Sequence, residues 1–338
     1  MHESSQADCQ KVTFPRLLGD IGGTHARFGW QWESQGELDC VQVLPCAEHA
    51  SLLAAIQAYL RTQNLPSPAW AALGIANPVV GDSVAMTNHH WRFSVSELRQ
   101  SLGAKRLLLL NDFTALALSL PKLEPSSKRL IDPHATTLEV PDATLALLGP
   151  GTGLGVSGLV KSLQQWVPIS GEGGHVTLTA ANAAEFALVE ALQKRFGHVS
   201  AERVLSGQGL VDLNRAWSEV KGEAVPAFKH PAEVLEAARA HPHSTAHQTV
   251  QTFVAFLAGV AGDLALTLGA RGGVYLGGGI LPRLGPLFDP VTFRHRFEAK
   301  GRFNTYLQAI PVWQINSAVS PALQGAAQAL LLASPHLT

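Results

Sequence analysis

The sequence predicts an α/β protein of two domains, and three observations carry that prediction. The first is the run Leu107–Phe113, LLLLNDF, which stops on a carboxylate and continues into the apolar stretch FTALALSL. Four consecutive leucines have no polar face, which suits a strand covered on both sides, and the residues that follow suit a helix packed back onto the sheet. The second is a strand, glycine turn, strand pattern that occurs twice, in FPRLLGDIGGTHARFGWQWE and in TLALLGPGTGLGVSGLV. The third is length, because 338 residues exceed what one hydrophobic core usually organises.

Composition narrows the functional classes. Hydrophobic residues make up 46% of the chain and charged residues 15%, ample for large cores. A formal net charge of −1 supplies no basic field to draw the chain to nucleic acid or to an anionic membrane. Cys9, Cys40 and Cys46 are too few and too irregular for a disulfide framework or a zinc site, and a reduced, cytoplasmic compartment fits them best. The N-terminal MHESSQADCQK lacks the apolar core of a signal peptide, and no segment reaches the ~20 uninterrupted apolar residues of a membrane helix.

In chain order, residues 1–13 read as a loose tail. The first hairpin then runs from a buried strand ending in Asp20, through Gly22, Gly23 and Thr24, into Ala26, Phe28, Trp30 and Trp32 at period two. A glycine turn bares backbone N–H groups and Thr24 adds a hydroxyl, so the turn suits phosphate oxygens, and Asp20 could hold a magnesium ion directly or through water. Val41–Leu44 predicts a third strand, SLLAAIQAYLRTQ an amphipathic helix, and Ala71–Ile75 a further strand. GDSVAMTNHHWRF, residues 81–93, is dense in hydrogen-bonding side chains, and Ser94 with Glu97 forms a capping-box pattern. Polar groups at the carboxyl end of a buried strand face the crevice where open α/β sheets bind ligands. Asp112 therefore fits two roles on this stretch, helix N-cap and catalytic carboxylate.

The segment from Pro121 to about Asp142 is polar and proline-bearing, a plausible domain junction. The second hairpin follows with Gly149, Gly151, Gly153 and Gly155 around Thr152. Its spacing is neither the dinucleotide fingerprint nor a P-loop, and it reads as a second copy of the first hairpin. WVPISGEGGHVTL predicts strand, glycine turn and strand, carrying Glu172 and His175. A helix is expected near Ala183–Phe196, and Glu202 falls early in a later one, where the helix macrodipole by itself explains an acid. His241, His243 and His247 cluster before the long apolar helix Thr245–Leu268, without the acid or cysteine partners usual at a metal site. GGVYLGGGI is a buried strand leading into three glycines, a turn on which a nucleoside can lie. Ile310–Ile315 reads as a late strand, and Ser320–Leu332 as an apolar helix docked on a domain.

The set GDIGGT, AMTNHHWRF, LLNDFTA, GPGTGLG, SGEGGH, SAERVLSG and GGVYLGGGI, in this order from about Leu17 to the last helix, resembles the bacterial glucokinases of group A. The resemblance implies the hexokinase–actin fold: two ribonuclease-H-like (actin/hexokinase-type ATPase) domains with an interdomain cleft. It implies a smaller α/β domain from residues 1–121 plus 316–338 and a larger one from 122–315 with helical insertions, with hinges near 121–123 and 311–317. The implied reaction is transfer of the γ-phosphoryl group of ATP, with Mg²⁺, to the 6-hydroxyl of glucose, in the cytoplasm, by a homodimer. Carried over by residue, Asp112 matches the general base and also touches the sugar, with Asn111, Glu172, His175 and Glu202 as the other sugar contacts. Gly19, Asp20, Ile21, Gly22, Gly23 and Thr24 match the first nucleotide loop, Gly151, Thr152 and Gly153 the second, and Gly277, Gly278 and Gly279 the adenosine turn. Asp20 is the implied metal contact, reaching the magnesium of Mg·ATP through water.

Three positions depart from the family pattern: His25 stands for Asn, Pro150 for Ala and Gln208 for Pro. Other readings remain on the same residues. They are a kinase for mannose, fructose or an N-acetylated sugar, a non-catalytic sugar sensor on the same fold, and an actin-like ATPase. A sensor commonly adds a helix-turn-helix, for which thirteen polar residues leave no room. An ATPase lacks a polar pocket such as Glu172, His175 and Glu202 and hydrolyses ATP without sugar.

Overall fold

The structure is a computed structural model that describes residues 13–34, 37–77, 79–86, 89–131, 140–317 and 319–333. It divides into two compact units: residues 1–123 with 163–168 and 317–338, and residues 124–162 with 169–316. The stretch 132–139 of the expected junction lies outside the described residues.

The first unit is built on a five-stranded sheet. Its strands are β1 (Arg16–Ile21), β2 (His25–Gln31), β3 (Asp39–Pro45), β4 (Trp70–Ile75) and β7 (Arg106–Asn111), in the order β3-β2-β1-β4-β7. β1, β2 and β3 pair antiparallel, as hairpin alternation predicts, while β4 and β7 continue the sheet parallel to β1. One face packs Leu17, Ile21, Phe28, Leu73 and Leu107 against α1 (Leu52–Thr62) and α2 (Val95–Ser101). The other packs Leu18 and Ala72 against the closing helix, Pro321–Leu332. Successive leucines of β7 thus go to opposite covered faces, which is why LLLL carries no polar position. Helix α3 (Asp112–Ser119) follows β7 directly.

Two local details differ from expectation. The stretch 81–93 contains a small hairpin, β5 (Ser83–Ala85) with β6 (Arg92–Ser94); residues 87 and 88 lie outside the described residues. Ser94 caps α2 by accepting the Glu97 N–H at 3.1 Å, and Asp82 joins it at the helix start. Asp82 accepts the Ser96 N–H at 2.8 Å and the Ser94 hydroxyl at 2.5 Å. The Ser94 hydroxyl, more than any other group, holds the Asp82 carboxyl below the usual carboxylate range.

The second unit repeats the plan. Its strands are β8 (Lys128–Leu130), β9 (Leu145–Pro150), β10 (Leu154–Ser162), β12 (Gly273–Leu276) and β13 (Val312–Ile315), with β11 (Gln165–Ser170), whose residues 165–168 group with the first unit, and the sheet order is β11-β10-β9-β12-β13-β8. An antiparallel β9–β10 hairpin is extended by β12 parallel to β9 and by β13 parallel to β12, as in the first unit. The short basic strand β8, which the sequence does not reveal, adds an antiparallel edge on β13. Helices α4 (Ala183–Phe196), α5 (Ala201–Val204), α6 (Gly207–Lys221), α7 (Pro231–Ala240), α8 (Thr245–Leu268), α9 (Leu281–Leu284), α10 (Pro290–Glu298) and α11 (Asn304–Gln308) complete the unit. By length and composition α8 is the one helix among the described residues that could cross a membrane, yet 61% of its apolar window is buried in this core.

The SGEGGHVTL stretch corrects the expected second strand. After β11 the chain makes one 3₁₀ turn, Gly173–His175, and then only an isolated bridge from Thr177 to Ser200. The two glycines press this turn onto β10: a Cβ on Gly173 would lie 2.7 Å from the Val156 side chain, and one on Gly174 would fall on the Leu154 carbonyl. Contact through the flat of the backbone replaces edge pairing.

Two glycines in long helices test packing against propensity. A Cβ on Gly325 of the closing helix would fall on the backbone carbonyl of Ala115, whereas one on Gly259 of α8 would sit 3.7 Å from Arg296 Nε, in ordinary contact. Alanine gains about 1 kcal/mol of helix propensity over glycine, and overpacking against fixed backbone costs about 1–3 kcal/mol. Gly259→Ala is therefore expected to raise the melting temperature slightly and Gly325→Ala to lower it, by scanning calorimetry. Equal shifts in both variants would show that the Ala115 contact yields freely.

Candidate active site

In the first unit three adjacent parallel strands end in register. Ile21 pairs with Ile75 and Ile75 with Asn111, so the Gly22–Thr24 turn and Asp112 leave the same sheet edge. Strand spacing puts these two chain ends about 10 Å apart. Gly74 permits the arrangement, since a Cβ there would meet Ala115 Cβ at 3.1 Å and Asp112 Cα at 3.5 Å. The start of α3 thereby lies directly on β4.

The two roles open for Asp112 separate here. Asn111, in extended conformation, is the cap: its Oδ1 accepts the Phe113 and Thr114 N–H groups at 2.9 and 3.2 Å. Asp112 is the first helical residue, and its Oδ1 accepts the Phe113 N–H at 2.9 Å. The N-cap reading of Asp112 is thus corrected by one position, and the amide nitrogen is what Asn111 can offer a ligand.

The first glycine turn is held from behind. Gly22 N–H donates to the His25 carbonyl at 3.0 Å, and Cys46 N–H donates to the Thr24 carbonyl at 2.8 Å. The buried Cys46 thiol, its pKa raised chiefly by burial, donates to the Gly22 carbonyl at 3.5 Å. Thr24 is left exposed at the tip. Asp20 Oδ2 accepts the Ser320 hydroxyl at 2.6 Å and Arg27 Nη1 at 3.5 Å. Among the described residues its Oδ1 has no protein donor. Sequence reasoning missed Arg27, although the hairpin register places it directly across from Asp20. It also missed Ser320, for which no local signal exists.

In the second unit the Gly151–Gly153 turn joins β9 to β10, and the Gly277–Gly279 turn follows β12. The two lie backbone to backbone: a Cβ on Gly149 would be 2.6 Å from the Gly277 carbonyl carbon, and one on Gly278 would fall on the Pro150 carbonyl. Gly277 N–H donates to the Leu148 carbonyl at 2.9 Å and Ile280 N–H to the Pro150 carbonyl at 3.2 Å. Gly207 N–H, at the start of α6, donates to the Gly151 carbonyl at 2.9 Å, and Thr152 stays exposed. Beside Ile280 opens a cavity of about 390 Å³, lined by Leu210, Pro231, Leu235, Pro282 and the polar Arg239.

Glu202 joins this turn to the candidate sugar residues. Its Oε2 accepts the Leu154 N–H at 2.8 Å, and a Cβ on Gly153 would fall on that same oxygen. Its Oε1 lies 4.0 Å from His175 Nε2. Glu172 begins the 3₁₀ turn that carries His175, whose N–H donates to the Glu172 carbonyl at 3.0 Å. The second unit therefore brings Glu172, His175, Glu202 and the Thr152 turn together. The first unit does the same for Asp20, the Thr24 turn, Asn111 and Asp112.

This arrangement can be set beside known proteins. The family model described as glucokinase matches residues 17–333. A glucokinase of Aromatoleum aromaticum is 52% identical over 319 residues, 94% of this chain and 95% of that protein. One of Chromobacterium violaceum is 48% identical, over 93% of this chain and 88% of that protein. The crystal structure of a glucokinase from an Antarctic psychrotroph superposes with a TM-score of 0.83 at 33% identity, over 94% of this chain and 99% of that one. Fold, motif order and these likenesses agree: the chain belongs to the glucokinase family, ATP-dependent sugar kinases that act on glucose.

Proposed function

We propose that Asp112 is the general base of phosphoryl transfer to the 6-hydroxyl of glucose, and that Asn111, Glu172, His175 and Glu202 bind the sugar. The observation that carries this reading is the one-residue division of labour at the end of β7. Asn111 is the N-cap and Asp112 the first helical residue, which accepts the Phe113 N–H through Oδ1, so the carboxylate stands at the carboxyl end of the strand rather than in the cap position. Phosphoryl transfer leaves a protein little covalent work, and positioning with charge stabilisation dominates. Asp112 would hydrogen bond the attacking hydroxyl and accept its proton as the oxygen bonds to phosphorus and ADP departs.

The nucleotide reading follows from the turns. Gly22, Gly23 and Thr24, with Gly19–Ile21 behind them, would take phosphate oxygens in one unit, and Gly151–Gly153 in the other. The nucleoside would lie against Gly277–Gly279 and enter the cavity beside Ile280, whose volume falls in the usual range for small-molecule sites. A hard cation fits the donor offered by Asp20, a carboxylate oxygen that faces no protein donor among the described residues, because Mg²⁺ keeps most of its waters and takes few protein ligands. Bound with the nucleotide, Mg²⁺ would screen the β- and γ-phosphate charge. We further infer a cytoplasmic homodimer.

Three substitutions test the assignment. Asp112→Asn keeps the shape and removes the base. It is expected to lower kcat by at least ~10²-fold with glucose binding retained; near-normal turnover in the purified variant removes Asp112 from the chemistry.

Thr152→Val nearly preserves volume while removing one hydroxyl. A hydrogen bond to a charged group is worth roughly 1.5–3 kcal/mol, so the use of ATP should weaken while KM for glucose holds. Unchanged KM for ATP together with unchanged kcat would take this turn out of the phosphate site.

Glu172→Ala is expected to raise KM for glucose strongly, and His175→Ala less so, because a carboxylate makes stronger hydrogen bonds to sugar hydroxyls than an imidazole. Fructose, with a different anomeric end, should be a poor acceptor, since a polar pocket discriminates by leaving its own groups unpaired. Wild-type KM for glucose in both variants would leave these residues as solvated loop groups.

A further inference from the structure

We propose that Ser320 is a positioning residue for the nucleotide site, aiming the Asp20 carboxylate from the first turn of the closing helix. The inference rests on the assignment of Asp20 to that site.

Ser320 occupies the N-cap position of the closing helix, where a serine hydroxyl ordinarily accepts a backbone N–H of the first turn. Here the side chain makes no such bond. Its hydroxyl instead donates to Asp20 Oδ2 at 2.6 Å, across 300 residues of sequence. Giving up a side-chain cap is unfavourable, and a short bond to a carboxylate offsets that loss. Arg27, the other group on Oδ2, is longer at 3.5 Å and 39% exposed, while the Asp20 side chain is only 14% exposed. Of the two donors, Ser320 is the one with the geometry to fix the carboxylate's rotation.

The consequence is directional. With Oδ2 held, Oδ1 is the oxygen presented to whatever binds at the Gly22–Thr24 turn. Ser320 is itself held by the seating of its helix, through Leu323, Ala326 and Leu330 in the core and Gly325 on the backbone of Ala115. Ala115 belongs to α3, the helix that begins at Asp112. One helix therefore braces the two proposed site carboxylates of the first unit, Asp20 by a hydrogen bond and Asp112 by backbone packing through Ala115.

The test is calorimetric titration of ADP, with Mg²⁺ and in EDTA, into the full-length protein and its Ser320→Ala, Ser320→Thr and Asp20→Ala variants. Ser320→Ala is expected to weaken Mg·ADP binding roughly tenfold, the scale of one hydrogen bond to a charged group, while metal-free ADP binding and KM for glucose hold. Ser320→Thr, which keeps the hydroxyl, should bind as wild type. Wild-type Mg·ADP affinity in Ser320→Ala overturns the proposal. So does an equal loss with and without metal, or a loss that threonine does not restore. Should Ser320→Ala fail to fold, Ser320→Cys, a weaker donor of similar size, must show the same metal-selective loss in smaller measure. Asp20→Ala separates the two layers. If it retains Mg·ADP affinity, the assignment of Asp20 fails; if it loses affinity and Ser320→Ala does not, the role of Ser320 alone fails.

Discussion

The first unit depends on three parallel strands that stop together. β1, β4 and β7 are paired in register through Ile21, Ile75 and Asn111, so their carboxyl ends open on one edge. Parallel pairing, with both faces covered, leaves that edge as the place where backbone N–H groups and short polar side chains meet solvent. Asp20, the glycine turn and Asp112 stand there for that reason. The leucines behind them are covered on both faces and would tolerate a one-residue slip, so the polar Asn111 and Asp112 and the close approach of Gly74 to α3 mark where the strand ends.

The second unit uses the same sheet plan but a different coupling. Its two glycine turns are pressed together at backbone distance, Gly149 on Gly277 and Gly278 on Pro150, which no side chain would allow. Onto this pair Glu202 adds a bond from α5 to the Leu154 N–H, with its second oxygen turned toward His175. On the proposed roles, one carboxylate would hold the phosphate turn with one oxygen and face the sugar residues with the other, all within one unit. Movement of Glu202 toward a sugar would be felt at Gly153, the residue its Oε2 crowds.

The closing helix shows how far such coupling extends. It covers one face of the first sheet, lies on α3 at Ala115 and reaches Asp20 through Ser320. Removing its apolar face would expose Leu18 and Ala72 and would also release the carboxylate, so stability and site geometry share these contacts.

By itself the sequence determined the α/β class, both hairpins, the buried strand ending at Asn111-Asp112 and the glycine turns. These features are local and periodic: alternation over a few residues, an apolar run, a turn that only glycine suits. It also set seven motifs in an order that resembles the glucokinases, and that order survives in the two sheets. Tertiary structure alone decided which of two adjacent residues caps α3, because Asn and Asp cap equally well and only the strand's end point chooses. It turned SGEGGH into a 3₁₀ turn on β10, since close backbone approach has no periodic signature. It revealed β8, whose three residues, two of them basic, are too few to alternate. Above all it joined Asp20 to Ser320 and Leu154 to Glu202, hydrogen bonds between residues 300 and 48 positions apart. A hydrogen bond acts over about 3 Å of space and leaves no mark in the spacing of a chain, so such contacts exist only once the chain has folded.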